Sequence, residues 1–126
     1  MNIQFNTREP VYAQVVRYFK EQIATGKLVA GQEIPSRREL GATLKINPNT
    51  AQRAYKEMED QLLIHTERNK PSRITYDQDV LDSVRDELIQ ESVDTFLQAI
   101  RTIQVPLDEV ITMIQARYKE GETEHD

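Results

Sequence analysis

Apolar residues recur at three- and four-residue spacing through the first sixty positions, and the spacing then drops to two. Val11, Tyr12, Val15, Val16, Phe19 and Ile23 fall on one face of a helix. Pro10 opens it, where a fixed φ suits the first turn, and Gly26 closes it. The connector KLVAGQEIPS is punctuated by Gly and Pro, with room for a very short strand around Glu33 and Ile34. SRRE is a capping box: the Ser36 hydroxyl accepts from the Glu39 amide, and the Glu39 side chain returns to the Ser36 amide. A second helix therefore runs from about Arg37 to Lys45 and buries Leu40 and Leu44. Asn47 as N-cap and Pro48 just inside it start a third helix, residues 47–61, with Ala51, Ala54, Tyr55, Met58 and Leu62 on one stripe. Only Ile46 and Asn47 separate these two helices, so they must cross at a large angle, as in a helix-turn-helix.

Beyond Leu62, Ile64, Thr66, Ile74 and Tyr76 alternate around RNKPS, which predicts a β-hairpin. From Asp77 the helical period returns. Val80, Val84, Leu88, Val93, Phe96, Leu97, Ile100 and Ile103 form a long stripe, Pro106 interrupts it, and Leu107, Val110, Ile111, Ile114 and Tyr118 continue it on a second helix. The fold class expected is mainly α with a small β-hairpin. A winged helix-turn-helix domain spans residues 1–76, a two-helix region spans 77–119, and 120–126 form a disordered tail. The apolar stripe is too large to bury on one helical hairpin. Val84, Leu88, Val93, Phe96, Leu97, Ile100, Ile103, Ile111 and Ile114 are therefore expected to pack against a second copy, giving a homodimer. The alternative is that the stripe folds back to serve as the domain's own core.

The net charge of -5 conceals an asymmetry. Residues 1–76 carry 12 Lys and Arg against 8 Asp and Glu, whereas residues 77–126 carry 4 against 13. Such a division suits a first part that binds a polyanion and a second kept away from it, although two solvated surfaces would look the same. The face of the third helix opposite its buried stripe centres on Asn49, Arg53 and Lys56, flanked by Asn47 and Thr50. Arg can donate two parallel hydrogen bonds to guanine, Asn can pair with adenine, and a Thr methyl can touch that of thymine. Recognition helices present such groups from their N-terminal end. Taken alone, these residues read better as a cap and a solvated first turn, because capping residues cluster at every helix start; the surrounding helix-turn-helix and wing reverse that weighting in favour of base reading. Arg37 and Arg38 oppose the dipole of the second helix, a conflict that a phosphate would relieve. Arg68, Lys70 and Arg73 on the hairpin could follow a phosphate backbone or serve as ordinary surface charges.

Other chemistries find little support. Without cysteine there is no disulfide, thiolate metal site or Cys nucleophile. The two histidines, His65 in a strand and His125 in the tail, form no cluster, and no Gly-rich phosphate loop is present, so neither an enzyme nor a cofactor or metal is expected. The N-terminus lacks an apolar signal core and no stretch approaches the roughly 20 apolar residues of a membrane span, which points to the cytoplasm and to no membrane partner.

The segment Pro10 to Glu59 resembles the DNA-binding domain of the GntR family of bacterial transcription regulators. The likeness joins a PVYxQ opening, a GKLxxGxxIPSxREL connector and an NPNTxxRAYxEME helix in order and spacing. The short helical end is similar to that of the YtrA-like branch, in which two helices serve dimerisation in place of a large ligand-binding domain. The resemblance implies a homodimeric, sequence-specific regulator, most simply a repressor, that binds a palindrome in double-stranded DNA. Contacts implied by the matching motifs are Arg38, Asn47, Asn49, Thr50 and Arg53. Lys56 is added from the helical face and Lys70 from the wing. Where relatives carry Gly before the first strand and a Gly-flanked wing turn, this chain has Leu62, Asn69, Lys70 and Pro71. Asn tolerates positive φ, but Pro cannot adopt it. A rival reading is a winged-helix module that binds protein without reading DNA. Fifty residues beyond the hairpin are too few for a large effector domain, which leaves room only for a small effector at the dimer seam.

Overall fold

The computed structural model describes residues 1–124. The elements run α1 (Val11–Ala24), α2 (Arg37–Leu44), α3 (Pro48–Asp60), β1 (Ile64–His65), β2 (Arg73–Ile74), α4 (Gln78–Arg101) and α5 (Leu107–Glu124). Two compact units divide after Ile89.

In the first unit, several helix boundaries have a local cause. α1 ends in a Schellman motif: the Lys27 N–H donates to the Gln22 carbonyl at 2.9 Å and the Gly26 N–H to the Ile23 carbonyl at 3.1 Å, with Gly26 at φ 76°. The capping box of Ser36 and Glu39 is present at the start of α2. α3 closes by the same motif as α1, but its left-handed residue is Leu62, at φ 63°. The Leu63 N–H reaches the Met58 carbonyl at 2.9 Å and the Leu62 N–H reaches Glu59 at 3.0 Å. That turn moves the buried position on by one residue. Leu62, read as the last buried residue of the stripe, is 66% exposed, and Leu63 points inward in its place.

The hairpin is short, pairing Ile64 with Ile74 and His65 with Arg73. Its turn spans Glu67 to Lys70, with Asn69 at φ 61° in the third position, which favours Asn or Gly. The connector supplies a third rung. Glu33 bridges to Arg73, the Ile34 N–H donates to the Ser72 carbonyl at 3.0 Å, and the Ile74 N–H donates to Gln32 at 2.9 Å.

The core of this unit joins Val15, Val16, Phe19 and Ile23 of α1 to Leu40, Ala51, Ala54, Tyr55 and Met58, with Ile64 and Ile74 from the hairpin. Phe19 meets Tyr55 edge to face, with ring centroids 6.2 Å apart. Leu81, Val84 and Leu88 of α4 belong to the same core. Nearby, Glu87 ion-pairs at 2.8 Å with Lys20, whose side chain is only 7% exposed. Val84 and Leu88 therefore do not lie on a free surface, as the uninterrupted stripe suggested; they close the core of the first unit.

Gln14 anchors the N-terminal arm. It is buried, accepts from the Asn6 N–H at 2.9 Å, and donates to the carbonyls of Asn6 and Glu9 at 3.0 and 2.9 Å.

The second unit holds the end of α4, a turn with Gln104 at φ 54°, and α5. Helix α5 continues to Glu124, so residues 120–124, expected as a disordered tail, are helical. Its last turns are polar but contain no Pro, and Arg117 lies 3.8 Å from Glu120 one turn on. His125 and Asp126 lie outside the described residues. Val110 is buried within this unit, while Val93, Phe96, Ile103, Ile111, Met113, Ile114 and Tyr118 are exposed. An open apolar cleft of about 570 Å³, lined by Phe96, Ile100, Ile103, Val110, Met113 and Ile114 among others, runs along the two helices.

Candidate nucleic-acid interface

The turn between α2 and α3 aims α3. Lys45 closes α2 in the left-handed conformation at φ 56°, and the Ile46 N–H donates back to the Gly41 carbonyl at 3.0 Å. A Cβ on Gly41 would sit 3.4 Å from the Ile46 carbonyl oxygen and 3.8 Å from the Pro48 Cα, so the chain turns back tightly over this residue. Asn47 then caps α3, its side-chain oxygen accepting from the Asn49 N–H at 2.8 Å, and Pro48 occupies the first turn. Ala51, Ala54, Tyr55 and Met58 face the core. Asn47, Asn49, Arg53 and Lys56 are exposed and Thr50 is half-buried, so the polar face described above points outward, with only Thr50 recessed.

The cations differ in how free they are. Arg37 is half-buried, ion-paired to Glu59 of α3, and lies 5.1 Å from the centroid of the Tyr55 ring. It braces α2 against α3. The Tyr55 hydroxyl donates to the Pro35 carbonyl, and burial pushes its phenol well above the ordinary range. Lys56 lies 3.6 Å from Asp60 one turn on. Lys70 pairs with Glu67 at 2.8 Å across the wing turn; this bond raises the pKa of the lysine and lowers that of the glutamate, although both are fully exposed. Arg73 donates to the Gly31 carbonyl at 3.0 Å and lies 3.8 Å from Glu33, which fastens the connector to the hairpin. Arg38, Arg53 and Arg68 have no carboxylate partner among the described residues. The guanidinium carbon of Arg53 lies 3.9 Å from the centroid of the Tyr12 ring.

Periodicity alone placed Tyr12 among the core residues of α1. Its contact with Arg53, like that of Arg37 with Glu59, joins positions far apart in the chain, which no local pattern displays. Among the described residues, no group of three or more His, Cys, Asp or Glu could hold a metal ion, and no helix is long and apolar enough to cross a membrane.

Residues 11–74 match the family described as bacterial regulatory proteins, gntR family. The chain is 29% identical over 121 residues to the HTH-type transcriptional regulator YhcF of Bacillus subtilis, covering 96% of this chain and 99% of that one. It is 37% identical over 75 residues to the HTH-type transcriptional repressor YtrA of the same organism, covering 58% of each. Among solved structures, a GntR family transcriptional regulator from Listeria monocytogenes superimposes with a TM-score of 0.82 at 28% identity, covering 89% of this chain and 98% of that one.

Proposed function

The chain belongs to the gntR family of bacterial regulatory proteins, and within that family we propose that it is a homodimeric transcription repressor that reads a palindromic operator through α3. It is a DNA-binding transcription regulator, and the single observation that carries the finer reading is the outward face of α3. Asn49 and Arg53 stand exposed on a helix whose cap, turn and inner face are all fixed by packing, and Arg53 has no acid to neutralise it among the described residues. Asn and Arg are the side chains suited to paired hydrogen bonds with adenine and guanine in the major groove. Exposed Arg38, near the start of α2, suits a phosphate contact that sets the register.

One such unit reads only a few base pairs; two on a twofold axis read both halves of an inverted repeat. The second unit favours that pairing because its apolar side chains remain uncovered on the single chain. Val93, Phe96, Leu97, Ile100, Ile103, Ile111 and Ile114 are the residues proposed to meet their twins; Val84 and Leu88 are not. The repressive sign follows the named role of YtrA. The regulator would work in the bacterial cytoplasm, alongside its DNA. The test is selection of bound duplexes from a random pool, with affinities measured at two salt concentrations. An inverted-repeat consensus and a steep salt slope are expected. Enrichment of no sequence would move the assignment to a protein-binding winged helix.

A further inference from the structure

Tyr12 lies in the first turn of α1 and Arg53 midway along α3, forty-one positions apart. Ala51 and Ala54 are fully buried on α3, and such small side chains let α1 approach it closely. The half-buried Tyr12 ring packs against the core on one side. The Arg53 guanidinium carbon lies over the ring, 3.9 Å from its centroid, well within cation–π distance. A guanidinium that rests on a ring through its flat face keeps its N–H groups, which lie in its own plane, free to donate to another partner. Those are the groups that reach guanine O6 and N7. An unsupported arginine would have to order its long side chain on binding, at a cost in affinity that a preformed platform reduces.

We propose that Tyr12 is a positioning residue for DNA reading: its ring presents Arg53 to the base edge in advance of binding. This rests on the proposed reading by α3. The ring, not the hydroxyl, does the work, because the contact runs from the guanidinium carbon to the ring.

The experiment uses the full chain, the selected operator and its single-base-pair variants. The base pair that loses discrimination in Arg53→Ala marks the position Arg53 reads. Tyr12→Phe is expected to match the wild type. Tyr12→Leu should bind the operator roughly two- to fivefold more weakly, the scale of an exposed cation–π contact. Its discrimination should fall at the Arg53 base pair and nowhere else, and the loss should vanish in the Arg53→Ala background. The Arg53 Nε–H resonance of the free protein should also move downfield in Tyr12→Leu as the ring current is lost.

Equal losses in Tyr12→Phe and Tyr12→Leu would overturn the proposal in favour of a hydroxyl contact. Uniform weakening on every duplex, or the same loss without Arg53, would reduce Tyr12 to a structural residue. Wild-type binding without sequence preference would sink the reading by α3 itself. Specific wild-type binding that Tyr12→Leu leaves intact would sink only the platform.

Discussion

Arg37 and Arg38 are neighbours in the first turn of α2, and their removal should have opposite consequences. Arg37→Ala deletes an ion pair whose partners are 30% and 36% exposed, together with a guanidinium 5.1 Å from the Tyr55 ring centroid. A pair this accessible contributes up to about 1 kcal/mol, and the ring contact about 0.5–1 kcal/mol more. The Arg37 Nε is buried without a hydrogen-bond partner, which subtracts from that sum. A loss of about 1–1.5 kcal/mol remains, or roughly 5–10 °C in melting temperature for a unit of this size. DNA binding should keep its salt dependence. Arg38→Ala should leave the melting temperature almost unchanged, because its side chain is exposed and has no carboxylate partner among the described residues. If it removes one phosphate contact, the slope of log affinity against log salt should flatten by about 0.9. The assays are thermal melts of the free protein and operator titrations at several salt concentrations. An Arg37→Ala protein that melts like the wild type while its salt slope flattens would refute the brace. So would strict additivity of Arg37→Ala and Glu59→Ala in a double-mutant cycle.

Val84→Ala should destabilise the first unit by about 2 kcal/mol through lost burial and a residual cavity, because Val84 is 1% exposed, and should leave subunit association intact. Ile114→Asp should do the reverse, yielding monomers in sedimentation with little change in melting; dimers of that variant would contradict the proposed surface. Tyr55→Phe should cost about 1–2 kcal/mol by stranding the Pro35 carbonyl, read by urea unfolding. Because the folded-state pKa of Tyr55 lies above its ordinary 10.0, the stability it contributes is complete below pH 10 and drains as the pH rises through the folded value. The wild type should therefore lose stability above pH 10 more steeply than Tyr55→Phe, and parallel curves would refute the assignment. Gly31→Ala forces alanine into φ 75°, with its Cβ 2.3 Å from Tyr76 Cε1. The exposed Tyr76 ring can swing aside, so the expected cost is the backbone term, about 1–2 kcal/mol in a melt.

How much of this was legible along the chain depended on how local each interaction is. The Ser36 and Glu39 box, the Asn47 cap, Pro48 and the Gly26 terminus each act within a few residues, and their chemistry could be read directly. The outward direction of Asn49 and Arg53 followed from helical period alone. Period says that a face is buried, not what covers it. The α4 stripe is one pattern, yet Val84 and Leu88 close the core of the first unit while Val93 and Phe96 stay exposed. Leu62 defeated the pattern for a different reason. A left-handed residue at a helix end shifts the inward direction by one position, and leucine gives no sign of that conformation. The partners of Arg37 and Arg73, both read along the chain as open to a phosphate, are brought to them by tertiary packing, as Glu87 is to Lys20.

The central claim is that two copies of α3 read the two halves of one operator, with Arg53 reading the same base pair in each. Duplex selection carried out in parallel with the wild type and Arg53→Ala tests it most directly. The wild type should yield an inverted repeat, and the variant the same repeat with preference lost at one base pair in each half-site, symmetrically placed. An unchanged consensus, or a loss in one half only, would contradict the account.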